Sequence, residues 1–502
     1  MLYNLNMFSH DPFKNKRFDI CIIGAGIAGI TLALSLDTKF NVLLLEGGGM
    51  DYSEESQELY RGESTGFDSS YPIKHRGGRW LGGSSNLWAG RCHPYTDSDF
   101  KKREYIQYSG WPISKKDLDP YHEKTREILD LPPKTQNVFY KGWTDVVEKP
   151  NEYFSPLDFM YSFPPTNFKI KYEDTLRKSK NIFCYVNANL TDMALNEELS
   201  DVSAIQVRNY KEGVFEAYAD TFVLAAGGIE NPRLLLNFNK QLSKGIGNDN
   251  DLVGRFFSDH PHSHIAYFLL EDDAADAFLN KEKPETMQYA TSVLTPTEKF
   301  QDKEKMENYI LRVTPNTFVF SKSVHFRHKL KSIICATDIT RNIVEKYTSC
   351  EDYEGYFLLL QEQEPNPKSR VTLGEERDRF GLKRPIVNWT FVENDMQTAK
   401  KAIIPFAKSF AASGMGRVKI DDWVLQKNIQ FDTKHTSGGF HHMGTTRMAH
   451  SPKEGVVDKN TKVFGIGNLY IAGSSVFPTG GCANPTYTIV QMTLRLADHL
   501  NV

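Results

Sequence analysis

Short uninterrupted apolar runs recur along the chain and are followed by glycine turns or polar residues. They lie at residues 20–23, 42–45, 182–186, 221–224 and 469–472. Runs of this length without alternation are typical of parallel strands that are buried on both faces. Glycine turns and helix-like segments follow several of them, so the pattern predicts an α/β domain on a doubly covered parallel sheet.

The middle of the chain has a different pattern. Between residues 263 and 434 glycine turns become rarer, and short segments alternate apolar and polar positions. Such alternation predicts half-buried antiparallel strands, at 310–313, 356–360, 369–373 and 386–391. Apolar spacing at 396–412 predicts a helix.

This change of pattern divides the chain into two predicted domains. We assign residues 17–150, 180–262 and 435–502 to a discontinuous first domain, and residues 151–179 and 263–434 to a second domain inserted into it. Within the first domain, segments 202–207 and 214–218 predict a small antiparallel excursion.

The first βαβ unit carries the strongest motif. Gly24, Gly26 and Gly29 follow the first apolar run, and Glu46 ends the second, 22 residues after Gly24. Glycines at these positions allow a tight turn, close backbone approach to a pyrophosphate and helix–sheet packing, and the acid suits a ribose diol. The motif predicts a dinucleotide site. By itself it leaves open an unrelated glycine-rich βα turn, and it does not separate FAD from NAD.

Composition narrows the functional classes. The chain has 502 residues with 40% hydrophobic and 25% charged residues, typical of a globular protein of two domains. A net charge of −3 gives no reason to expect nucleic acid as a partner. No run approaches the roughly 18 apolar residues of a transmembrane segment, and residues 1–17 lack the apolar core of a signal peptide. The six cysteines are scattered without a CxxC pair, which predicts reduced thiols in a cytoplasmic protein.

Several other segments combine glycine with polar or aromatic residues. Residues 76–90 hold glycines among arginines and tryptophans, which favours a loop close to a flat or charged group over a plain surface loop. Residues 227–233, 441–448 and 480–486 are similar, and the last precedes a helix with proline in its first turn. Residues 259–262 read Asp-His-Pro-His; the proline and the lack of further ligands favour a structural loop over a metal site.

In this order the motifs resemble those of the glucose–methanol–choline (GMC) family of FAD-dependent oxidoreductases. The resemblance covers most of the chain: the dinucleotide turn with its acid, the loop to Gly90, Gly-Gly-Ile-Glu at 227–230, Val-Gly-Arg through Asp-His-Pro at 253–261, and HxMGTxRM at 441–448 with Asn-Pro-Thr at 484–486. Residues 365–371 resemble the bacterial sugar- and polyol-dehydrogenase branch. The resemblance implies a Rossmann-like FAD-binding domain with an inserted α+β substrate domain built on an antiparallel sheet, and a flavin ring between the two.

The resemblance also implies the site residues. The family's catalytic pair maps onto His441 and Asn484, with His442 as the competing histidine. It further implies FAD contacts at Gly24, Gly26, Ile27, Ala28, Gly29, Glu46, Gly47, Arg79, Gly82, Gly83, Ser84, Asn86, Leu87, Val186, Ala226, Gly227, Gly473, Ser474, Asn484, Pro485 and Thr486.

The chain departs from the family at two positions. Several relatives tether FAD covalently through a histidine where this chain has Leu87, so we expect FAD to be bound non-covalently. Many relatives carry aspartate where this chain has Gly473, so we expect the ribityl contact to come from backbone or from Ser474.

Taken together, the expected function is oxidation of an alcohol group, on a sugar, glycoside or polyol, with hydride transfer to flavin N5. Imidazole, whose unperturbed pKa is about 6.5, suits removal of the hydroxyl proton by His441. The alternatives are a flavin-containing lyase without net redox change, and a flavin-binding subunit for electron transfer or assembly. The electron acceptor stays open among O2, a quinone and a redox partner, and no metal is expected.

Overall fold

The computed structural model describes residues 1–502 except residues 69, 72, 76, 133–136, 139–151, 271–287, 316–336 and 338–354. Its strands, in chain order from β1 to β20, are Leu2–Asn4, Arg17–Ile23, Val42–Leu45, Glu63–Gly66, Arg91–Cys92, Asn137–Val138, Phe154–Ser162, Ile182–Val186, Asn189–Leu195, Val202–Arg208, Val214–Leu224, Pro261–Leu270, Gln288–Pro296, Tyr309–Pro315, Gly355–Gln361, Arg370–Arg377, Lys383–Trp389, Gly416–Ile420, Thr436–Gly438 and Leu469–Ile471.

The α-helices, numbered α1 to α10 in the same way, are Ile27–Ser35, Glu54–Gln57, Asp97–Phe100, His122–Ile128, Phe168–Lys178, Glu230–Asn237, Glu298–Glu304, Glu393–Ala412, Asp422–Leu425 and Thr486–Leu500.

The first sheet has the strand order β1-β8-β3-β2-β11-β10-β9, with β20 paired to β11. Its central pairs are parallel, and β10 and β9 extend it as an antiparallel excursion. Successive residues of β2 enter different cores: Cys21 and Ile23 pack on one face, and Ile20 and Ile22 pack on the other. Because both faces are covered, these strands read as continuous apolar runs. The predicted parallel sheet is confirmed.

The second sheet has nine strands in the order β18-β12-β15-β14-β13-β7-β5, with β19 paired to β12 and β6 to β13. Most of its pairs are antiparallel. Helix α8 covers it with Ala399, Ala402, Ile403, Phe406 and Phe410, which share one helical face. The inserted α+β unit with an antiparallel sheet is therefore confirmed as the fold class.

Several local features differ from the sequence-based expectation. Strand β11 is continuous over Val214–Leu224, so two predicted strands are one, because nothing breaks the chain between them. The polar leader supplies β1, which pairs with β8, and the ammonium group of Met1 donates to the carbonyls of Leu176, Ser179 and Ile182.

A third, small sheet joins β16, β17 and β4, and β5 pairs with β7 of the second sheet. Two short strands of the predicted first domain thus pair with the inserted region, and the domain limits stay a prediction. The limit at 150/151 lies outside the described residues. Among the described residues no helix is long and apolar enough to cross a bilayer.

Candidate active site

A cavity of about 680 Å³ lies at the carboxyl ends of the parallel strands. The residues that follow β2, β3, β11 and β20 line one wall, and His262, Arg312 and Leu360 of the second sheet line another. Ligands of open α/β sheets bind at the carboxyl ends of their strands. The topology therefore places this cavity where a dinucleotide is expected.

The dinucleotide turn is held by its own acid. Glu46 accepts hydrogen bonds from the N–H groups of Ala25 and Gly48, each at 2.9 Å. Burial raises the pKa of Glu46, while these two bonds and the charge of Arg79 oppose the rise. Helix α1 begins directly after Gly26 without a side-chain cap, so its free N–H groups suit a phosphate.

Two glycines leave open space along the cavity wall, where a flat cofactor can pack. Gly227 has φ +94° and Gly473 has φ +115°, and a Cβ built on either would meet nothing within 4 Å. Both residues line the cavity, so a side chain there would take up cavity space. Gly26 and Gly83 also pack backbone to backbone, since a Cβ on Gly83 would lie 2.9 Å from Cα of Gly26. The residues present fit a large flat group such as FAD.

Most predicted cofactor residues line this cavity. They are Gly24, Gly26, Ile27, Ala28, Glu46, Gly47, Arg79, Gly83, Ser84, Leu87, Ala226, Gly227, Gly473, Ser474, Asn484, Pro485 and Thr486.

Four predicted contacts do not line the cavity but lie behind its wall. A Cβ on Gly29 would lie 1.8 Å from the carbonyl of Gly24, so this glycine serves helix–strand packing. Gly82 donates its N–H to the carbonyl of Ala25, Asn86 donates to the carbonyls of Leu81 and Gly83, and Val186 is buried in the core. Backbone and packing contacts explain all four.

The predicted catalytic pair is in direct contact. His441 Nε2 lies 2.9 Å from Asn484 Nδ2, and both residues line the cavity. On its other side, His441 Nδ1 lies 2.9 Å from Nδ1 of His260, whose Nε2 lies 3.2 Å from the carbonyl oxygen of Gly480. Two residues 43 positions apart thus meet as expected, and His260 joins them.

The positions of the protons in the hydrogen bonds that join Gly480, His260, His441 and Asn484 can be assigned. The Gly480 carbonyl can only accept, so His260 Nε2 donates. Burial lowers the pKa of both His260 and His441, the latter well below its ordinary value, so both rings are neutral at pH 7. The Nδ1 of neutral His260 therefore accepts, and His441 Nδ1 donates to it. The unprotonated His441 Nε2 accepts a hydrogen bond from Asn484 Nδ2.

Asp259 fixes the backbone of His260 and His441 by accepting hydrogen bonds. Its side chain is fully buried. Oδ1 accepts the N–H groups of His260 and His441, each at 2.7 Å, and Oδ2 accepts Phe440 N–H at 3.0 Å and Tyr71 O–H at 2.8 Å. Burial alone would raise the pKa of Asp259, but His442, His441 and these donors lower it to about 2.

The competing histidine has a different partner. His442 Nε2 lies 3.0 Å from the hydroxyl of Tyr71, and its backbone carbonyl accepts from Ser474 Oγ. Since His441 faces Asn484, the geometry favours His441 as the reactive histidine.

Sequence reasoning missed several residues of this site. The segment from Asp259 to His262, which the sequence predicts to be a structural loop, also anchors His441 through Asp259 and His260 and begins β12. Among the described residues no group of three or more side chains could hold a metal ion. His262 lines the cavity, and its buried Nε2 has no hydrogen-bond partner. The spacing in the sequence could not show that these residues meet others about 180 positions away.

Comparison with known proteins agrees with this geometry. Residues 365–493 match the family model described as GMC oxidoreductase. The C-terminal part of the chain is therefore similar to the GMC oxidoreductases. This confirms the resemblance read from the motifs, and the family's cofactor, FAD, fits the cavity described above.

One relative and one solved structure cover nearly the whole chain, and a second relative covers part of it. A 2-methyl-1,2-propanediol dehydrogenase of Mycolicibacterium austroafricanum is 23% identical over 96% of this chain and 95% of its own. A fructose dehydrogenase large subunit of Gluconobacter japonicus is 24% identical over 59% of this chain and 50% of its own. The crystal structure of pyridoxine 4-oxidase from Mesorbium loti has a TM-score of 0.61 at 17% identity and covers 96% of this chain and 98% of its own. These proteins share the GMC fold with the chain.

Proposed function

We propose that the protein oxidises an alcohol group of a small molecule to a carbonyl, with His441 as the general base. The observation that carries this proposal is the neutral His441 whose Nε2 lone pair faces Asn484 in the cavity. A base that is uncharged at working pH can accept the hydroxyl proton. The family members named above, a diol dehydrogenase and a fructose dehydrogenase, support a polyol or sugar as the substrate.

Each residue of the pair has a separate task. The substrate hydroxyl donates its proton to His441 Nε2, and the Asn484 amide donates a hydrogen bond to the same oxygen and orients it. His260 accepts from His441 Nδ1 and so keeps the ring in the tautomer that leaves Nε2 unprotonated. FAD, when bound, supplies the acceptor for the hydride that leaves the carbinol carbon.

The wall of the cavity suits a negatively charged group beside this pair. Pro485 and Thr486 line the cavity at the start of α10, a helix of 15 residues. The positive end of its dipole therefore faces the cavity and would stabilise negative charge on a cofactor bound there.

The electron acceptor and the cellular location belong to this proposal. We propose O2, a quinone or a redox partner as the electron acceptor. We also propose a cytoplasmic location, which is supported by the buried free thiols of Cys21, Cys92, Cys184 and Cys482; Cys335 and Cys350 lie outside the described residues.

The test is anaerobic mixing of the FAD-loaded protein with sugars, glycosides, polyols and simple alcohols while the visible flavin band is recorded. Loss of the band with one class of alcohol is expected, and admission of air then shows whether O2 is the acceptor. A bound flavin that no alcohol reduces would contradict the proposal and favour a lyase or an electron-transfer subunit.

A further inference from the structure

Two arginines in the cavity have no part in the proton transfer described above. Arg91 lies on β5 and Arg312 on β14, both in the second sheet, and both line the cavity. Arg91 is only 6% exposed, whereas Arg312 is exposed. Each carries a permanent positive charge at working pH.

No described carboxylate forms an ion pair with Arg91. Its buried Nε and Nη2 atoms have no hydrogen-bond partner, and its guanidinium lies 4.1 Å from the ring centroid of Phe159. The buried Arg103 and Arg233, by contrast, are paired with carboxylates at 2.7 Å and 2.5 Å. Burying a charge without a partner is costly, so the position of Arg91 points to an anion that is absent from the chain itself.

The acidic residues of the cavity do not supply that anion. Glu46 is bound to the dinucleotide turn, and Glu230 and Asp378 are both paired with Arg233. The phosphates of FAD do not supply it either, because the dinucleotide motif and the start of α1 place them at the first sheet.

The arginines line the same cavity as His441. The ring centroid of His262 is 6.1 Å from that of His441. Burial, together with the charges of His260, Arg91 and Arg312, lowers the pKa of His262 to about 4. Burial likewise lowers the pKa of Arg91, and the charge of Arg312 adds to this effect. His441, His262 and the two arginines therefore share one cavity.

We propose that the substrate is an alcohol that also carries an anionic group, a carboxylate or a phosphate, and that Arg91 and Arg312 bind this group while the hydroxyl lies at His441. This inference rests on the proposed alcohol oxidation and adds the substrate's charge. The planar guanidinium suits both anions because it can donate two parallel hydrogen bonds. His262 Nε2 is available to a polar group of the same molecule.

The experiment compares matched alcohols that differ in one group, at constant ionic strength. Anaerobic flavin reduction is measured with glycerol, glycerate and glycerol 3-phosphate, and with glucose, glucuronate and glucose 6-phosphate. We expect kcat/KM for one anionic series, carboxylate or phosphate, to exceed that of the neutral alcohol by about 10- to 100-fold, the effect of one charge-assisted hydrogen-bond pair. The carboxylate and phosphate arms identify the anion.

Variants of the two arginines test whether these residues cause the preference for anionic alcohols. Arg91→Met keeps the packing on Phe159 and removes the charge, and Arg312→Gln alters an exposed residue and leaves folding intact. Each is expected to reduce the anion preference at least about fivefold. Arg417→Gln is the matched control, because Arg417 is an exposed arginine of the same sheet outside the cavity and should keep the preference. A wild-type preference for neutral alcohols, or a preference that survives Arg312→Gln and Arg91→Met, would overturn the inference.

A second readout is independent of turnover. Acetate and inorganic phosphate are titrated against the thermal midpoint of the FAD-loaded protein, which rises when the native state binds a ligand. A rise with either anion that is lost in Arg312→Gln supports the anion site even if no alcohol is oxidised, in which case only the proposed function fails. An equal response in wild type and both variants would overturn the anion site.

Discussion

The buried carboxylate of Asp259 gives the sharpest test of how the reactive histidine is held. Asp259→Asn preserves the shape of the side chain but replaces one acceptor oxygen with an NH2 donor. In one orientation the new NH2 group takes the place of Oδ2, next to the Tyr71 hydroxyl and the Phe440 N–H. Tyr71 can rotate its hydroxyl and accept from the NH2 group, but the Phe440 N–H loses its acceptor. In the other orientation the N–H groups of both His260 and His441 lose theirs. The variant therefore leaves at least one buried donor unsatisfied.

The expected loss of stability has two parts. The pKa of Asp259 falls from an ordinary 3.8 to about 2 in the folded protein, which corresponds to about 2 kcal/mol of stability. One unsatisfied buried N–H adds about 1–3 kcal/mol. We therefore expect Asp259→Asn to lower the free energy of unfolding by about 3–5 kcal/mol at pH 7.

The pH dependence separates these parts. A lowered pKa stabilises the folded state fully above the unfolded pKa, and this contribution is lost as pH falls from about 4 to about 2. The difference in unfolding free energy between wild type and Asp259→Asn should therefore shrink by about 2 kcal/mol over that range. Urea unfolding of the FAD-loaded protein at several pH values measures it, with the exposed Asp249→Asn as control. A difference below 1 kcal/mol at pH 7, or one that does not change with pH, would refute the reasoning.

Three further predictions concern the cofactor and the proton chain. Acid precipitation should release all flavin into the supernatant, since the aliphatic Leu87 cannot form a covalent link; flavin retained on the washed pellet would contradict this. Gly227→Ala should lower the FAD content by placing a Cβ in the cavity, whereas Gly414→Ala, with a similarly positive φ and open surroundings, should not; equal FAD contents measured by absorbance would count against FAD packing on Gly227. His260→Leu should lower kcat about tenfold with little change in KM. His260→Gln should keep most of the wild-type kcat, because its amide can accept from His441 and donate to Gly480. Equal kcat values for the two variants would contradict the role of His260 in fixing the tautomer of His441.

The parallel sheet could be predicted because burial on both faces leaves a direct trace in the sequence, as in Ile20 to Ile23. The dinucleotide turn was predictable for a similar reason, since glycine is required at Gly24 by the backbone and at Gly29 by packing. Strand β1 could not be found, because a three-residue strand in a polar leader has no distinctive pattern and depends on β8 for its hydrogen bonds.

The candidate site was predictable only in part. The pairing of His441 with Asn484 came from a family resemblance, since 43 intervening residues of unknown path separate them. The roles of Asp259 and His260 depend on contacts across about 180 residues, which no local pattern encodes. Arg91 directly follows the predicted loop 76–90. Its significance depends on the absence of a described carboxylate around it, which is a property of the folded chain.

The most direct test of the account is the anaerobic rate of flavin reduction in His441→Ala, compared with wild type at equal FAD content and with the alcohol that wild type oxidises best. Removal of the general base should lower this rate about 10²- to 10⁴-fold, and His442→Ala, the neighbouring histidine that contacts Tyr71, should lose much less. A His441→Ala rate within a few-fold of wild type, or a larger loss in His442→Ala, would contradict the assignment of His441 as the base.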